Sequence, residues 1–395
     1  MISIYKNRNF LLLWIGHFIS SIGDSIYLIS IPWLILETTG SIKLTSLITL
    51  IGYLPAVFFG LLSGVIVDIY DKKKIMIYSD LFRAILVFII PISIIYNFIS
   101  PLLIGCLAFF ISFFGTFFYP SRDSMIPQII NSDKFSIANS FITISGQFSH
   151  FLGPLIASVG ITFFGLKHLF TINGISFLLS MVAIYFLRKP VEIEKITSSF
   201  RLNEIKDGLL YINKNRGLQI LLFLTFINNF FIMGPAFIGL PIFVREVLKE
   251  GFELYAYLET SMALGMIIGS IIFWKISNDK ILVKLMFLGI IIDGLTFSLL
   301  FFSKNNIVSI LILLIHGLGI PFITISRTTI IQLVVPSKYR GRLFSIIYML
   351  VMGTTAISIF FTGILLEMID AETLFLLIGI FASGSSILCL HPKVK

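Results

Sequence analysis

Apolar residues run along this chain in long blocks broken by short polar turns, with neither the spaced stripe of a soluble amphipathic helix nor the alternation of a half-buried strand. Bilayer hydrocarbon takes roughly 20 apolar residues per helix. Twelve blocks meet that length: 10–36, 46–67, 75–96, 101–126, 139–165, 168–187, 218–243, 254–277, 281–303, 306–335, 343–366 and 372–390. Only helices or closed barrels satisfy the backbone inside lipid, and the alternation of barrel strands, over segments of about ten residues, is absent. The pattern therefore predicts an all-α integral membrane protein of 12 transmembrane helices. The first block is not a cleavable signal: it is too long, Asp24 interrupts it, and no small-residue cleavage site follows.

One stretch breaks the rhythm. Residues 189–217 form the only long polar segment, halfway along the chain, and within it Leu202, Ile205, Leu209 and Ile212 recur at helical spacing opposite Asn203, Glu204, Lys206, Asp207 and Lys214. This predicts an amphipathic helix at the membrane interface. It divides a six-helix bundle, 1–188, from a second, 218–395. The halves echo each other. Asn7-Arg8 precedes the first span as Asn215-Arg216 precedes the seventh; Ile31-Pro32 matches Leu240-Pro241; Ser121-Arg122 matches Ser326-Arg327. The offsets are 208, 209 and 205 residues, which fits duplication of a six-helix unit. A 6+6 layout is that of transporters binding substrate near the bilayer midplane.

Composition sharpens this. A soluble domain is about 45–50% apolar and about 25% charged, whereas this chain of 395 residues is 57% hydrophobic and 12% charged, with a mean hydropathy of +1.01. Its net charge of +9 would suit nucleic acid, but the distribution points to lipid. With the N-terminus inside, 21 of the 29 Lys and Arg fall in inner segments and five in outer ones, leaving Arg83, Arg122 and Arg327 in or near spans. The positive-inside rule then places both termini in the cytoplasm of a bacterial cell, with the chain in its inner membrane. Cys106 and Cys389 both lie in apolar runs, so no disulfide framework or metal pair arises. Histidines 17, 150, 168, 316 and 391 share no metal-ligand spacing, although His150 and His316 could titrate. No P-loop and no hydrolytic constellation appears, so neither ATP, another cofactor nor enzymatic chemistry is expected.

Ionisable residues inside the membrane cost about 2.5–3.5 kcal/mol on insertion scales and are functional candidates by default. Asp24 lies near the middle of the first span, where a carboxyl suits reversible proton uptake. Three readings stay open for it: coupling or substrate site, buried structural acid, or an acid facing water in a cavity. Asp293 is similar in depth, and Glu259, near the outer face of the eighth span, would attract a cationic substrate. Asp80 and Arg83 stand three apart on one helix face. With Arg122, Asp123 and Arg327 they read as a cytoplasmic charge network around a gate. Asn228, Asn229, Gln147 and Asn173 are uncharged cavity candidates, with interhelical hydrogen bonding as the alternative. Most of the 41 phenylalanines face lipid or helix interfaces, and some would line a cavity suited to large apolar compounds.

At these residues the chain resembles the major facilitator superfamily, and its opening NRNFLLLWIGHFISSIGDSIYLISIPW, with FYPSRDSMIPQII, LPIFVREVL and VVPSKYRGRLFSI, resembles the macrolide-efflux and siderophore-exporter branch. The resemblance implies the major facilitator fold and, in Gly64 to Asp68 followed by Lys72 and Lys73, the loop that latches the outward-open state. Gly64 would then allow close helix packing, and the lysines would face cytoplasmic headgroups. Ile69 and Asp71 depart from the family's basic residue and glycine. Gly153-Pro154, followed by Ala157-Ser158, resembles the antiporter signature of the fifth helix, with Ser140 and Ser149 where the family has glycine. The arginine expected early in the fourth helix is missing from 101–114, and Arg122 lies too near the other end to be assumed its replacement. The resemblance implies a monomeric secondary exporter, a proton antiporter of hydrophobic small molecules such as macrolide-like drugs. Alternatives are endogenous cargo (siderophore, peptide or lysophospholipid) or an uptake symporter. A non-transporting sensor would need a sizeable soluble domain, and the longest polar stretch is about thirty residues.

Overall fold

The computed structural model describes residues 7–130, 135–188, 209–277 and 280–390. Among these the chain is helical, with no strand. Twelve helices are long and apolar enough to cross a membrane. They are α1 Arg8–Thr39, α2 Ile42–Ile69, α3 Lys72–Ile95, α4 Pro101–Ile129, α5 Phe135–Phe164, α6 Leu166–Tyr185, α7 Arg216–Val247, α8 Phe252–Ile276, α9 Leu282–Leu300, α10 Asn306–Val334, α11 Ser337–Leu365 and α12 Ala371–Ser385. The exterior is apolar: Leu102 is 79% exposed, Phe163 75% and Trp274 77%. Such surfaces are stable only against lipid, so this is a multi-pass membrane protein. Most of the predicted amphipathic segment, 189–208, lies outside the described residues; its last turn is helical, with Ile212 buried against Leu218 and Tyr211 stacked on Tyr339.

The chain divides into two compact units, Met1–Thr39 with Ile51–Phe200, and Gly40–Leu50 with Arg201–Lys395. The first turns of α2 thus group with the second unit, although the sequence boundary assigns them to the first. Within the first unit α1 packs on α5 and α6, and α3 on α4 and α6; within the second α10 packs on α8 and α9, and α9 on α12. These contacts are backbone-close because small residues face each other. A Cβ on Gly23 of α1 would run into Ser176 and Asn173 of α6, and Gly265 of α8 lies directly against Gly317 of α10.

The repeats seen in the sequence have a physical basis. Asn7 and Asn215 each cap the helix that follows, accepting from the amide three residues on, Phe10 at 3.1 Å and Leu218 at 3.2 Å. Pro32 sits inside α1, while around Pro241 the helix α7 relaxes into π-helical turns at Pro235–Gly239 and Phe243–Val247. A π-turn lets the next amide along the chain donate to a carbonyl that proline leaves without a donor.

Asp370 caps α12, accepting from the Thr373 amide at 2.7 Å. That hydrogen bond holds its carboxyl below the ordinary carboxylate range. A depressed folded-state pKa contributes stability at neutral pH that fades as pH falls through it. Replacing Asp370 by Ala is therefore expected to cost about 1 kcal/mol at neutral pH. In thermal unfolding of the detergent-solubilised protein, the gap to wild type should close on acidification; a gap indifferent to pH would mean that the cap contributes nothing.

Candidate functional site

Asp24 is the centre of the best-formed polar site. It falls halfway along the 32-residue α1, and Arg83 falls halfway along the 24-residue α3. Arg83 donates to Asp24 Oδ1 in a close ion pair, and Tyr119 of α4 donates its hydroxyl to Asp24 Oδ2 at 3.1 Å. The guanidinium carbon lies over the Phe177 ring of α6, 3.9 Å from its centroid, a cation–π contact that covers one of its faces with protein. On its other side Gly115 of α4 leaves room for it. A second carboxyl, Asp80 one turn back on α3, stands 3.7 Å from the same guanidinium. Asp80 is wholly buried, while the Asp24 side chain keeps 19% of its surface exposed.

One guanidinium thus faces two carboxyl groups. With both ionised, the cluster carries a net negative charge at a largely buried site, and uncompensated buried charge is expensive. It is neutral only with one proton aboard. The exposed side of that set opens into a cavity of about 470 Å³ between α1, α4 and α5, lined by Asp24, Tyr119, Arg122, His17 and His150 among others. This lies in the size range of small-molecule sites. Ser25 and His150 lie 3.5 Å apart on its wall. Arg122 takes the other end: it donates to His17 Nε2 at 2.7 Å and grips Asp123 with two bonds of 2.8 and 2.7 Å. Arg122 also lies over the Tyr119 ring at 5.3 Å, linking the two arginine sites through one tyrosine.

The remaining sequence candidates are placed as follows. Arg83 is not at a helix end: eleven residues of helix, about 16 Å, separate it from Lys72, so Asp80 and Arg83 belong to the mid-helix cluster around Asp24 rather than to a terminal gate. Lys73 donates to the Leu187 carbonyl at 2.6 Å, tying α3 to the end of α6 instead of pointing at headgroups, and Lys72 is half-buried. Gly64 makes no close packing, since a Cβ there would meet no atom within 4 Å. The Asp68 and Ser140 side chains lie outside what is described. Gly153 does pack closely: a Cβ would strike Ser25 of α1, with Pro154 next in α5. Gln147 is exposed and stands off the cavity lining. Asn229 bonds across to α11, to the Val351 carbonyl at 3.1 Å and Thr355 at 2.9 Å, and Asn173 is fully buried against α1; neither reaches a cavity. Asn228 donates to Asp293 at 3.1 Å. Glu259 and Arg327 are half-buried and make no ion pair among the described residues. Nor does any group of three metal-ligating side chains occur among them. The sequence reading missed Tyr119, Phe177 and the pairing of Arg83 with Asp24; the one signal available was the depth of Arg83 in its span.

A family model described as a transmembrane secretion effector, MFS_3, matches residues 2–391. Macrolide efflux protein A of Streptococcus pyogenes is 25% identical over 387 residues, covering 96% of this chain and 94% of that protein. Among solved structures, a variant of the nucleoside transporter NupG superposes with a TM-score of 0.81 at 14% identity, covering 98% of this chain and all of that one. A bacterial homologue of the iron transporter ferroportin, in its inward-facing state, gives 0.78 at 16% identity over 98% and 99% of the two chains. These structures share the fold.

Removing one partner of a buried ion pair costs about 3–5 kcal/mol. Arg83→Gln should lower the unfolding temperature of the purified protein sharply, and Asp24→Asn should offset part of that loss in the double variant. Strictly additive effects in this cycle would show that the two side chains are not energetically coupled.

Proposed function

Because the chain belongs to the transmembrane secretion effector family of the major facilitator superfamily, we infer that it is a proton-driven exporter of hydrophobic small molecules of the macrolide kind. The observation that carries this reading is Asp24: a mid-helix carboxyl, tied to one arginine and one tyrosine, on the wall of a cavity of drug-sized volume. The likeness to macrolide efflux protein A supports the substrate class. The Gly153-Pro154 signature of α5 supports export over uptake.

In this reading ionised Asp24 holds the Arg83 guanidinium and the Tyr119 hydroxyl. A proton arriving from the outer aqueous side neutralises Asp24, and Arg83 turns toward Asp80, already 3.7 Å away. The incoming proton takes the cluster from a net charge of −1, with both carboxyls ionised, to neutrality, with the proton on Asp24 and the guanidinium paired with Asp80. The change in charge and hydrogen bonding at the cavity wall discharges substrate outward; release of the proton inside resets the pair. Arg83, supplied by α3 and seated against Gly115 of α4, takes the place of the arginine missing from the fourth helix, while Arg122 is committed to His17 and Asp123. Alternating access comes from movement of two six-helix bundles, 1–188 and 218–395, joined by a cytoplasmic segment, in a monomer of the bacterial inner membrane with both termini inside.

Everted vesicles test the coupling. With an acid lumen imposed, vesicles carrying the wild type should accumulate radiolabelled erythromycin, and Asp24→Asn should fall to the level of empty vesicles while its erythromycin binding persists. Undiminished gradient-driven accumulation in the variant would remove Asp24 from coupling. Accumulation by neither protein, with no protection of an efflux-deficient host against macrolides, would remove the substrate class.

A further inference from the structure

The second unit holds a buried acid–base pair that the export reading does not use. Asp293 lies mid-helix in α9 and His316 in α10, exposed by only 2% and 1%. His316 Nε2 stands 3.2 Å from Asp293 Oδ1. The other carboxylate oxygen accepts from Asn228 of α7 at 3.1 Å. Phe297 stacks parallel on the imidazole, 4.2 Å between centroids, which closes the ring face to water.

The hydrogen bonds around the imidazole fix where its protons are. Nδ1 faces the Asp293 backbone carbonyl at 3.1 Å, a group that can only accept. Nδ1 also faces Thr296 Oγ1 at 2.9 Å, but the threonine gives its single proton back along its own helix, to the Ile292 carbonyl at 2.6 Å. Both neighbours of Nδ1 therefore present lone pairs, and Nδ1 carries a hydrogen. That leaves Nε2 opposite Asp293 Oδ1. Without a proton between them, two lone pairs would meet at 3.2 Å beside an uncompensated carboxylate, in a site closed to water. Asp293 Oδ1 makes no hydrogen bond in the structure, although Nε2 stands 3.2 Å from it. Neither side chain makes any other ion pair among the described residues. On the α12 side Gly294 packs most closely against Gly379 and Ser383. A buried carboxyl with one oxygen unbonded and an imidazole nitrogen 3.2 Å from it is neutral only with one proton on the pair, on Oδ1 or on Nε2.

We propose that Asp293 and His316 form a second proton-binding site, whose proton leaves and returns during the transport cycle. Loss of the proton from the Oδ1–Nε2 contact leaves a carboxylate and a neutral imidazole facing each other by their lone pairs, which loosens α9 from α10 while Asn228 retains the carboxylate. Asn228 is the partly exposed member of the set, so the proton passes its amide on the way to water. The functional role assigned to this site, though not its proton, rests on the export reading above.

Nitrogen-15 histidine spectra of the full-length protein in lipid nanodiscs read the site directly, with His316→Gln used only to assign the signal. The expected spectrum shows Nδ1 protonated and a single titration step across the pH range of transport, abolished in Asp293→Asn. A His316 protonated on Nε2 alone, or one that does not change across the pH range of transport, would overturn the proposal. The pH profile of erythromycin accumulation should be less steep in Asp293→Asn than in wild type; identical steepness would also overturn it. The Asp24 reading fails separately. If Asp24→Asn transports normally while His316 still titrates, the coupling role of Asp24 falls and this site stands. If Asp24→Asn is inactive and His316 is fixed, the reverse holds.

Discussion

A guanidinium halfway along a membrane helix is tolerated only when an anion answers it and protein, not lipid, surrounds it. Arg83 meets both conditions, and much of the first unit follows from how it does so. Asp24 from α1 and Asp80 from its own helix supply the charge; Phe177 from α6 and Gly115 from α4 supply the walls. Four helices are thereby fixed around one side chain. Tyr119 can reach Asp24 because α4 is held there, and the cavity exists because Asp24 is turned to the side that Arg83 leaves open. Removing the guanidinium would remove the reason for this packing as well as the charge.

The second unit keeps the architecture and solves the electrostatics differently. The helix-capping asparagines recur and so do the proline positions, yet no arginine stands where Arg83 does: Asp293 is answered by an imidazole and an amide. Arg122 and Arg327 occupy matching places in α4 and α10, but Arg122 is bound to His17 and Asp123 whereas Arg327 forms no ion pair among the described residues. The shared backbone features are ones that any six-helix bundle needs at those points. The charged side chains have diverged because each must be neutralised locally.

What could be read from the chain alone divides along the same line. Span number and limits were legible because lipid imposes a length and a polarity on every crossing, and the caps at Asn7 and Asn215 were visible as a repeat before their hydrogen bonds were known. Asp24 stood out because a carboxyl in an apolar run is costly to insert and so calls for a specific reason. Its partner did not, since apolar periodicity says nothing about which helices are neighbours; Arg83 was matched to Asp80 three residues away and not to Asp24, 59 residues away in sequence. Gly64 misled for the opposite reason: its motif implied close packing, and a side chain would meet open space there. His316 could not be joined to Asp293 without knowing that α9 and α10 pack together.

Both clusters obey one accounting rule. Asp24, Asp80 and Arg83 bring two acids against one base that stays charged, so their neutral state contains one proton. Asp293 and His316 bring one acid against a base that can give up its charge, and their neutral state also contains one proton. The difference lies in what happens when that proton goes. In the first unit the arginine remains as a partner, so the site survives deprotonation with its geometry nearly intact and can hand the guanidinium from one carboxyl to the other. In the second the imidazole offers no replacement charge, so the contact itself must open. A site of the first kind suits repeated exchange facing a cavity, while one of the second kind couples protonation to helix position; an exporter driven by a proton gradient, as proposed above, has use for both.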